Sequence, residues 1–186
     1  TIFIDTNVAV NKLTTTAKQL DGEFQAHLRA VMSRFGDFRR GPTKTVERCQ
    51  SKLENEYRGA AYPKAAKLLD VVRSSVSFNT VEQLLEGYQG LLRYIETGTS
   101  SLELARVKNG FLAAQGGAGY RDIKVNVVYH SEHDPDHPLS MVCEVQLLLN
   151  QYLHEKKRIH KLYSVLRERA YFELVAKAQD EDGGQQ

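Results

Sequence analysis

Two carboxylates of the sequence lie in apolar stretches, where an unpaired charge is costly. Asp70 follows two leucines and precedes two valines, and Glu144 interrupts the apolar run 141–149, with Gln146 two residues later on the same face of a strand. Carboxylates on two core strands suggest a divalent cation such as Mg²⁺, held by oxygen ligands between the protein and substrate phosphates. The alternative is a structural acid paired with a nearby lysine or arginine. In both cases we expect Asp70 to have a partner.

Three cations recur at every fourth position of one segment: Lys44, Arg48 and Lys52. The apolar positions of this segment fall on one helical stripe, which predicts a helix over 43–57. The three cations then project along one side of the helix, away from the stripe. Such a row suits a polyphosphate, and a solvated helix face without function is the alternative.

A turn at Gly119 and Tyr120 opens into a strand whose alternate positions face opposite ways. One face of this strand, with Asp122, Lys124 and Asn126, is polar. Tyr120 offers a ring on which a nucleobase stacks, whereas packing against the protein is the alternative role for this side chain. The strand and its turn are therefore a candidate binding surface for a base.

The elements that must position these residues follow from apolar periodicity and from the places of glycine and proline. Helices are predicted from about Leu20 to Phe35 after a start signal at 14–16, over 43–57, over Val81–Glu96, and from about Gln151 to Ala178. Strands are predicted over Val71–Phe78, Leu102–Leu112, Arg121–Tyr129 and Met141–Leu149, of which the last two form a hairpin. The stretch 36–41 is predicted to break the first helix, and the tail 180–186 to be disordered.

The chain has 186 residues and a formal net charge of +2, with two distant cysteines, Cys49 and Cys143. This length suits one domain with its own core. The charge is too small to identify a nucleic-acid or membrane binder, and no apolar run reaches the length of a membrane span. The cysteines indicate neither a disulfide framework nor a zinc site, so we expect a reducing, cytoplasmic compartment.

Two further motifs resemble metal sites and are interpreted otherwise. The opening 1–7 is similar to the first strand of PIN-type nucleases, but the order of the later elements does not match, so an N-terminal arm is predicted. The loop 130–138 is rich in histidine and aspartate. Its spacing matches no closed tetrahedral site and it contains two prolines, so an exposed hairpin loop is predicted.

Five motifs occur in a fixed order along the chain: G-P-T-K-x3-R-x3-K, L-D-V-V-R-S-S-V-S-F, V-K-N-G-F, G-Y-R-D-I-K-V-N-V and C-E-V-Q-L. Together they resemble the synthetase domain of the RelA/SpoT-type alarmone enzymes, from Gly41 to about Tyr163. The resemblance implies an α+β fold, a nucleotidyltransferase-like mixed β-sheet flanked by helices, with an N-terminal helix and a long C-terminal helix. It divides a single domain into an arm and helix (1–40), the synthetase core (41–163), and the end of the last helix with the tail (164–186).

The resemblance also implies an activity, which is Mg²⁺-dependent transfer of the β,γ-pyrophosphate of ATP to the 3′-hydroxyl of an acceptor nucleotide, with release of AMP. Asp70 and Glu144 are then the catalytic and metal-binding pair. The residues implied to bind ATP and its phosphates are Lys44, Arg48, Lys52, Arg73, Lys108 and Asn109. The residues implied to bind the acceptor are Tyr120, Arg121, Lys124, Asn126 and Gln146.

The chain departs from the family pattern at several of these positions. The family commonly has arginine five residues after the aspartate, where this chain has Ser75, and Arg73 stands where a small residue is usual. Arg48 replaces a usual serine, and Lys124 replaces a frequent histidine. An adenine nucleotide, a guanine nucleotide and an RNA 3′ end are all admissible acceptors. Two alternatives stay open: a nucleotide-binding regulatory domain without transfer, and an interaction module that forms a homo-oligomer through the C-terminal helix.

Overall fold

The computed structural model describes residues 5–98, 101–112, 121–131 and 138–153. The helices in these residues are α1 (Thr6–Met32), α2 (Val46–Asn55) and α3 (Val81–Glu96), with a short 3₁₀ helix over Lys64–Lys67 and further helical residues at 150–153. The strands are β1 (Asp37–Arg40), β2 (Val72–Phe78), β3 (Leu102–Asn109), β4 (Ile123–His130) and β5 (Ser140–Leu149).

The described strands form one mixed sheet in the order β1-β2-β5-β4-β3. Strands β2 and β5 pair in parallel, and all other neighbours pair antiparallel. Strands β4 and β5 form the predicted hairpin, with Val125 opposite Val145. The parallel pair needs a long crossover connection, which contains α3, β3 and β4. The predicted α+β class, with a mixed sheet flanked by helices, is confirmed.

Helices α1 and α3 pack on one face of the sheet, which is its core face. Phe24 of α1 meets the ring of Tyr129 on β4 edge to face, with the ring centroids 5.5 Å apart. Gly87 lets α3 approach Phe78 of β2, since a Cβ atom at this glycine would lie 2.6 Å from the ring. Because these helices cover the apolar side chains of one face, the polar side chains of the alternating strands lie on the other.

The prediction for the first helix was wrong at its start. Asp5 caps α1, because its carboxylate accepts hydrogen bonds from two backbone N–H groups of the first turn, at 2.7 and 3.3 Å. The threonine run 14–16 lies inside the helix, where Thr14 Oγ1 donates to the carbonyl oxygen of Val10 at 3.0 Å. From Thr6 onward the expected N-terminal arm is therefore helix, and residues 1–4 lie outside the described residues.

Two expectations about the following elements also need correction. The second helix begins at Val46, because Thr45 caps it by accepting a hydrogen bond from the N–H of Arg48. The predicted break contains strand β1, which pairs with β2 at the edge of the sheet. Phe38 is the one apolar residue of β1, so the strand lacks the alternation that predicts strands. Helix α3, in contrast, has the predicted bounds.

Several predictions fall on other parts of the chain. Tyr120, the loop 132–137 and the last helix from 154 onward lie outside the described residues, and the division into 1–40, 41–163 and 164–186 stays a prediction. Within the described ranges, no helix combines the length and the apolar character that crossing a membrane requires. Cys49 and Cys143 are both buried and unbonded to each other.

Candidate active site

Asp70 lies at the entrance to β2, between two lysines. Its Oδ2 atom accepts hydrogen bonds from Nζ of Lys44 at 2.7 Å and from Nζ of Lys52 at 2.9 Å. Its Oδ1 atom is buried and has no hydrogen-bond partner among the described residues. The expected partner of Asp70 is therefore present, and it is two lysines that share one oxygen of the carboxylate.

Two different segments bring the lysines to Asp70. The backbone N–H of Lys44 donates to the carbonyl oxygen of Val71 at 2.9 Å, which holds Lys44 beside the start of β2. Lys52 comes from the second turn of α2, whereas Arg48, between the two in sequence, is exposed. The predicted helical row of three cations is thus wrong for Lys44, which precedes the helix. Two of the three cations converge on Asp70 all the same.

Burial and charge act in opposite directions on these three groups. Burial alone would raise the pKa of Asp70, but the hydrogen bonds and charges of Lys44 and Lys52 outweigh it and hold the pKa below its ordinary value. Burial lowers the pKa of Lys44, and the bond to Asp70 offsets this only in part. Burial also acts to lower the pKa of Lys52, but Asp70 outweighs it and the pKa is raised.

The face of the sheet opposite α1 and α3 carries two rows of polar side chains, which we call the polar face. The first row has Glu144 of β5 at its centre. Glu144 pairs in register with Arg73 of β2 on one side and with Asn126 of β4 on the other, and Asn126 pairs with Arg106 of β3. Glu144 and Asn126 are 5% and 0% exposed, so the middle of this row is almost closed to solvent.

The second row lies one side-chain position further along the same face. In the order of the strands it consists of Arg39, Ser75, Gln146, Lys124 and Lys108. Nζ of Lys124 lies 3.5 Å from Oδ1 of Asp122, a residue that is buried just before β4. The two rows together bring several cations around the single carboxylate of Glu144, although the whole chain has a net charge of only +2.

A hydrogen bond of Asn126 connects the polar face to the Asp70 segment, and a second bond joins Glu144 to Gln146 within that face. Gln146 Nε2 donates to Oε1 of Glu144 at 2.6 Å, which confirms that these side chains share a face. Asn126 Nδ2 donates to the carbonyl oxygen of Leu69 at 3.2 Å, next to Asp70. The cross-strand neighbour of Glu144 thus touches the residue before Asp70, so the two carboxylates border the same region.

Arg106 and Arg39 belong to these rows although the sequence analysis did not select them. Arg106 Nε donates to Oδ1 of Asn126 at 3.0 Å. Arg39 lies on β1, opposite Ser75 of β2. Local patterns did not reveal either residue, since membership of a row depends on the register between strands. The alternation of Arg106 with Lys108 on a predicted strand was the one available signal for Arg106.

Some of the predicted residues lie apart from these rows. Asn109 pairs with Ile123 of the core face, and its Oδ1 accepts a hydrogen bond from the N–H of Phe111 in the turn after β3. Arg48 is exposed on α2, and Arg121 lies half-buried just before β4. The structure places the remaining described residues of the prediction either beside Asp70 or in the two rows of the polar face.

Asp70 and Glu144 offer carboxylate oxygens, which are the donors that hard cations such as Mg²⁺ prefer. In the described ranges, no group of three or more histidine, cysteine, aspartate or glutamate side chains is arranged to hold a metal ion. Mg²⁺ needs only one or two protein carboxylates when substrate phosphates and water complete its coordination. Oδ1 of Asp70 is a buried carboxylate oxygen that has no hydrogen-bond partner among the described residues.

Known proteins resemble this chain in fold and not in sequence. No protein-family model matches the chain, and no curated protein matches its sequence. Solved structures do match, among them small alarmone synthetase 1 from Bacillus subtilis bound to its product pppGpp, with a TM-score of 0.64, 12% identity, and coverage of 93% of this chain and 94% of that one.

Two further solved structures agree with this match. A GTP pyrophosphokinase family protein from Streptococcus pneumoniae has a TM-score of 0.64 and 17% identity, with coverage of 94% of this chain and 91% of that one. The Bacillus subtilis synthetase bound to AMPCPP has a TM-score of 0.56 and 10% identity, with coverage of 93% and 94%. The chain therefore has the fold of the small alarmone synthetases, the small relatives of the RelA/SpoT-type enzymes that its motifs resemble.

Proposed function

We propose that this protein is a Mg²⁺-dependent pyrophosphokinase that transfers the β,γ-pyrophosphate of ATP to the 3′-hydroxyl of an acceptor nucleotide and releases AMP. The observation that carries the proposal is the position of Glu144, a buried carboxylate on the central strand, with Arg73 and Asn126 as its neighbours on the polar face and Lys124 diagonal to it. The match to alarmone synthetases and to a GTP pyrophosphokinase family protein supports this class of reaction.

In this proposal the donor lies on the side of β2 and α2. Lys44, Lys52 and Arg73 attract the phosphates of ATP, because cations in a partly buried site offset phosphate charge more strongly than cations in water. Asp70 limits the net charge of this group and orients both lysines through its Oδ2 atom. Arg48 and Lys108 are exposed and contribute to the attraction of ATP at longer range.

The acceptor lies on the side of β4 in this proposal. Lys124, Asn126 and Gln146 present polar atoms beside Glu144, and Tyr120 and Arg121 are proposed to contact the acceptor nucleotide at the start of that strand. Gln146 donates to one oxygen of Glu144. The second oxygen then accepts the proton of the acceptor 3′-hydroxyl as this hydroxyl attacks the β-phosphorus, and the bond from that phosphorus to the α,β-bridging oxygen breaks, with AMP as the leaving group.

Asp70 and Glu144 are the residues that fit Mg²⁺. Both are oxygen donors, and the buried Oδ1 of Asp70 lacks a hydrogen-bond partner among the described residues. When bound, Mg²⁺ supplies positive charge that stabilises the developing negative charge on the transferred phosphates. The protein residues hold the ion and the phosphates in place, which is the main task of a protein in phosphoryl-type transfer.

The test is incubation of the protein with Mg²⁺ and γ-labelled ATP, with GDP, GTP, ADP, AMP or tRNA as separate acceptors, and separation of the products. We expect label on one acceptor and an equal amount of AMP. Bound ATP without AMP from any acceptor would instead support the regulatory alternative, for which the serine at position 75 is the favouring observation. Label on tRNA alone would identify an RNA 3′ end as the acceptor.

A further inference from the structure

A cavity of about 600 Å³ lies between the first half of α1, the segment around the 3₁₀ helix, and the start of β5. None of its described lining residues is Asp70, Lys44 or Lys52, and none belongs to the two rows of the polar face. Cavities that hold small organic molecules have volumes of about 300–1,000 Å³. The cavity is therefore a second candidate binding site, separate from the candidate active site.

The wall that α1 contributes to this cavity follows the helix axis. Its members recur at intervals of three and four residues: Thr6, Ala9, Leu13 and Thr16. This spacing places them on one side of the helix, and ten residues of helix rise about 15 Å. The wall is therefore long enough to accompany an extended chain of atoms.

Most of the remaining lining is apolar. Leu68 and Met141 are buried and Leu69 is half-buried, so these side chains form the inner part of the cavity. Pro63 and Ala66 are exposed and lie at its rim. Removal of apolar surface from water is favourable in proportion to its area, so such a cavity favours an apolar chain over a polar one.

Two lysines give the cavity its charge. Lys12 of α1 lines the cavity and is exposed, which places it at the boundary with solvent. Its ammonium group forms no hydrogen bond or ion pair with a described residue. Lys64 is held on the opposite wall, because its Nζ atom donates to the carbonyl oxygen of Arg58 at 2.7 Å. No acidic side chain occurs among the described lining residues, so the lysines favour an anionic group at the mouth.

We propose that this cavity binds a medium-chain fatty acid, with the alkyl chain along α1 and the carboxylate at Lys12. The long apolar wall supports the first part of the assignment, and the charge at the rim supports the second. Neither part depends on the proposed function of the polar face. Leu69 of the inner wall directly precedes Asp70, and its carbonyl oxygen accepts a hydrogen bond from Asn126. A bound acid would therefore contact the segment that carries Asp70.

The two methionines of the chain provide the test, because they report on different places. Met141 lines the cavity, whereas Met32 is buried at the far end of α1. The wild-type protein, with ¹³C-labelled methionine methyl groups, is titrated with decanoate below its micelle concentration, and separately with decanol. We expect both ligands to shift the Met141 resonance saturably and to leave the Met32 resonance unchanged.

Two pairs of variants check the assignment. Lys12→Ala should weaken decanoate binding by about fivefold, the effect of one exposed ion pair, and leave decanol binding within about twofold. Lys18→Ala is the matched control, because Lys18 is exposed on the same helix and does not line the cavity. Ala9→Phe should weaken both ligands by about tenfold, because the ring takes the space of several methylene groups. Ala26→Phe, at an exposed position of α1, is its control, and an unchanged Met32 resonance verifies the fold of each variant.

The other outcomes overturn the inference. No shift of Met141 would show that the cavity takes no alkyl chain, and equal shifts of both methionines would show that decanoate acts as a detergent. Equal effects of Lys12→Ala and Lys18→Ala would show that the carboxylate does not lie at Lys12. A Met141 resonance that moves with protein concentration, and not with decanoate, would show that a second copy of the chain fills the cavity.

Discussion

The Nζ atom of Lys44 lies 2.7 Å from Oδ2 of Asp70, and this contact joins the segment before α2 to the segment before β2. Lys52 shares the same oxygen at 2.9 Å. Two cations on one carboxylate are redundant for its stability, because either one keeps the charge compensated. They also keep Asp70 in one orientation, in which Oδ1 has no hydrogen-bond partner among the described residues.

This redundancy predicts non-additive mutational effects. We expect Lys44→Met and Lys52→Met each to lower the free energy of unfolding by about 1 kcal/mol. The double variant should lose about 3–5 kcal/mol, because it leaves a partly buried carboxylate unpaired. Urea unfolding of the four proteins at pH 7 measures the coupling, with Lys67→Met on the exposed 3₁₀ helix as a control. If the losses of the two single variants summed to the loss of the double variant, the two lysines would not share one contact with Asp70.

The lowered pKa of Asp70 predicts a loss of stability in acid. A carboxylate with a folded-state pKa below its ordinary value of 3.8 stabilises the native state above that value, and the stability is lost as the pH falls through the folded-state pKa. The wild type should therefore exceed Asp70→Asn in free energy of unfolding by the largest amount near neutral pH, and this difference should shrink below about pH 4.

Urea unfolding of both proteins between pH 7 and pH 3 measures this difference. Asp37→Asn is the control, because Asp37 is exposed on β1 and should leave the profile of the wild type unchanged. A stability difference between the wild type and Asp70→Asn that stays constant over this range would contradict the assigned shift.

Glu144→Gln should separate folding from activity. Glutamine keeps an oxygen that accepts the hydrogen bond of Gln146, so we expect the free energy of unfolding to change by less than about 1 kcal/mol. Transfer should fall at least about 100-fold, because the variant cannot accept the proton of the acceptor hydroxyl. AMP release measures the rate, and Glu103→Gln, an exposed carboxylate of β3, is the matched control. An active Glu144→Gln protein would disprove the catalytic assignment.

Gly41→Ala should damage the site through the backbone. The new Cβ atom would meet the carbonyl oxygen of Arg73 at 2.7 Å, so β1 and β2 must separate locally. We expect a loss of about 1–3 kcal/mol in the free energy of unfolding, and weaker binding of AMPCPP. Gly59→Ala is the control, because a Cβ atom at this position would meet nothing within 4 Å. Equal free energies of unfolding for the two variants would argue against the close approach of Gly41 to the backbone of Arg73.

The two cysteines should resist alkylation in the native chain. Both thiols are buried, and burial raises the pKa of Cys49 and of Cys143, so little thiolate is exposed near pH 8. We expect iodoacetamide to label neither residue in buffer and both in concentrated guanidinium chloride, as measured by mass spectrometry. Rapid labelling in buffer would show that the core opens more readily than the packing indicates.

The sequence predicted elements well where local signals agree. Helix α3 has the predicted bounds, because a cap at Thr80 coincides with a clear apolar stripe. The start of α1 was missed, since the threonine run 14–16 resembles a cap while the true cap is Asp5. Strand β1 was missed, because an edge strand with a single apolar residue has no periodicity to detect.

In the candidate site, sequence patterns single out the two carboxylates more clearly than they single out the cations. Asp70 and Glu144 stand out because charged residues rarely occur within apolar stretches of sequence. The contact of Lys44 and Lys52 with one oxygen depends on where α2 begins, which sequence periodicity placed three residues too early. Arg39 and Arg106 join the polar face through strand register, and register is a property of the assembled sheet.

The parallel pairing of β2 with β5 also has a consequence for how the protein folds. The segment with Asp70 and the hairpin with Glu144 are far apart in the chain, and the sheet joins them through this pair. Hairpin β4–β5 is a local contact and closes quickly, whereas the central parallel pair must bring distant segments together and is slower to form. We therefore expect catalytic competence to appear late in refolding, after most secondary structure is present.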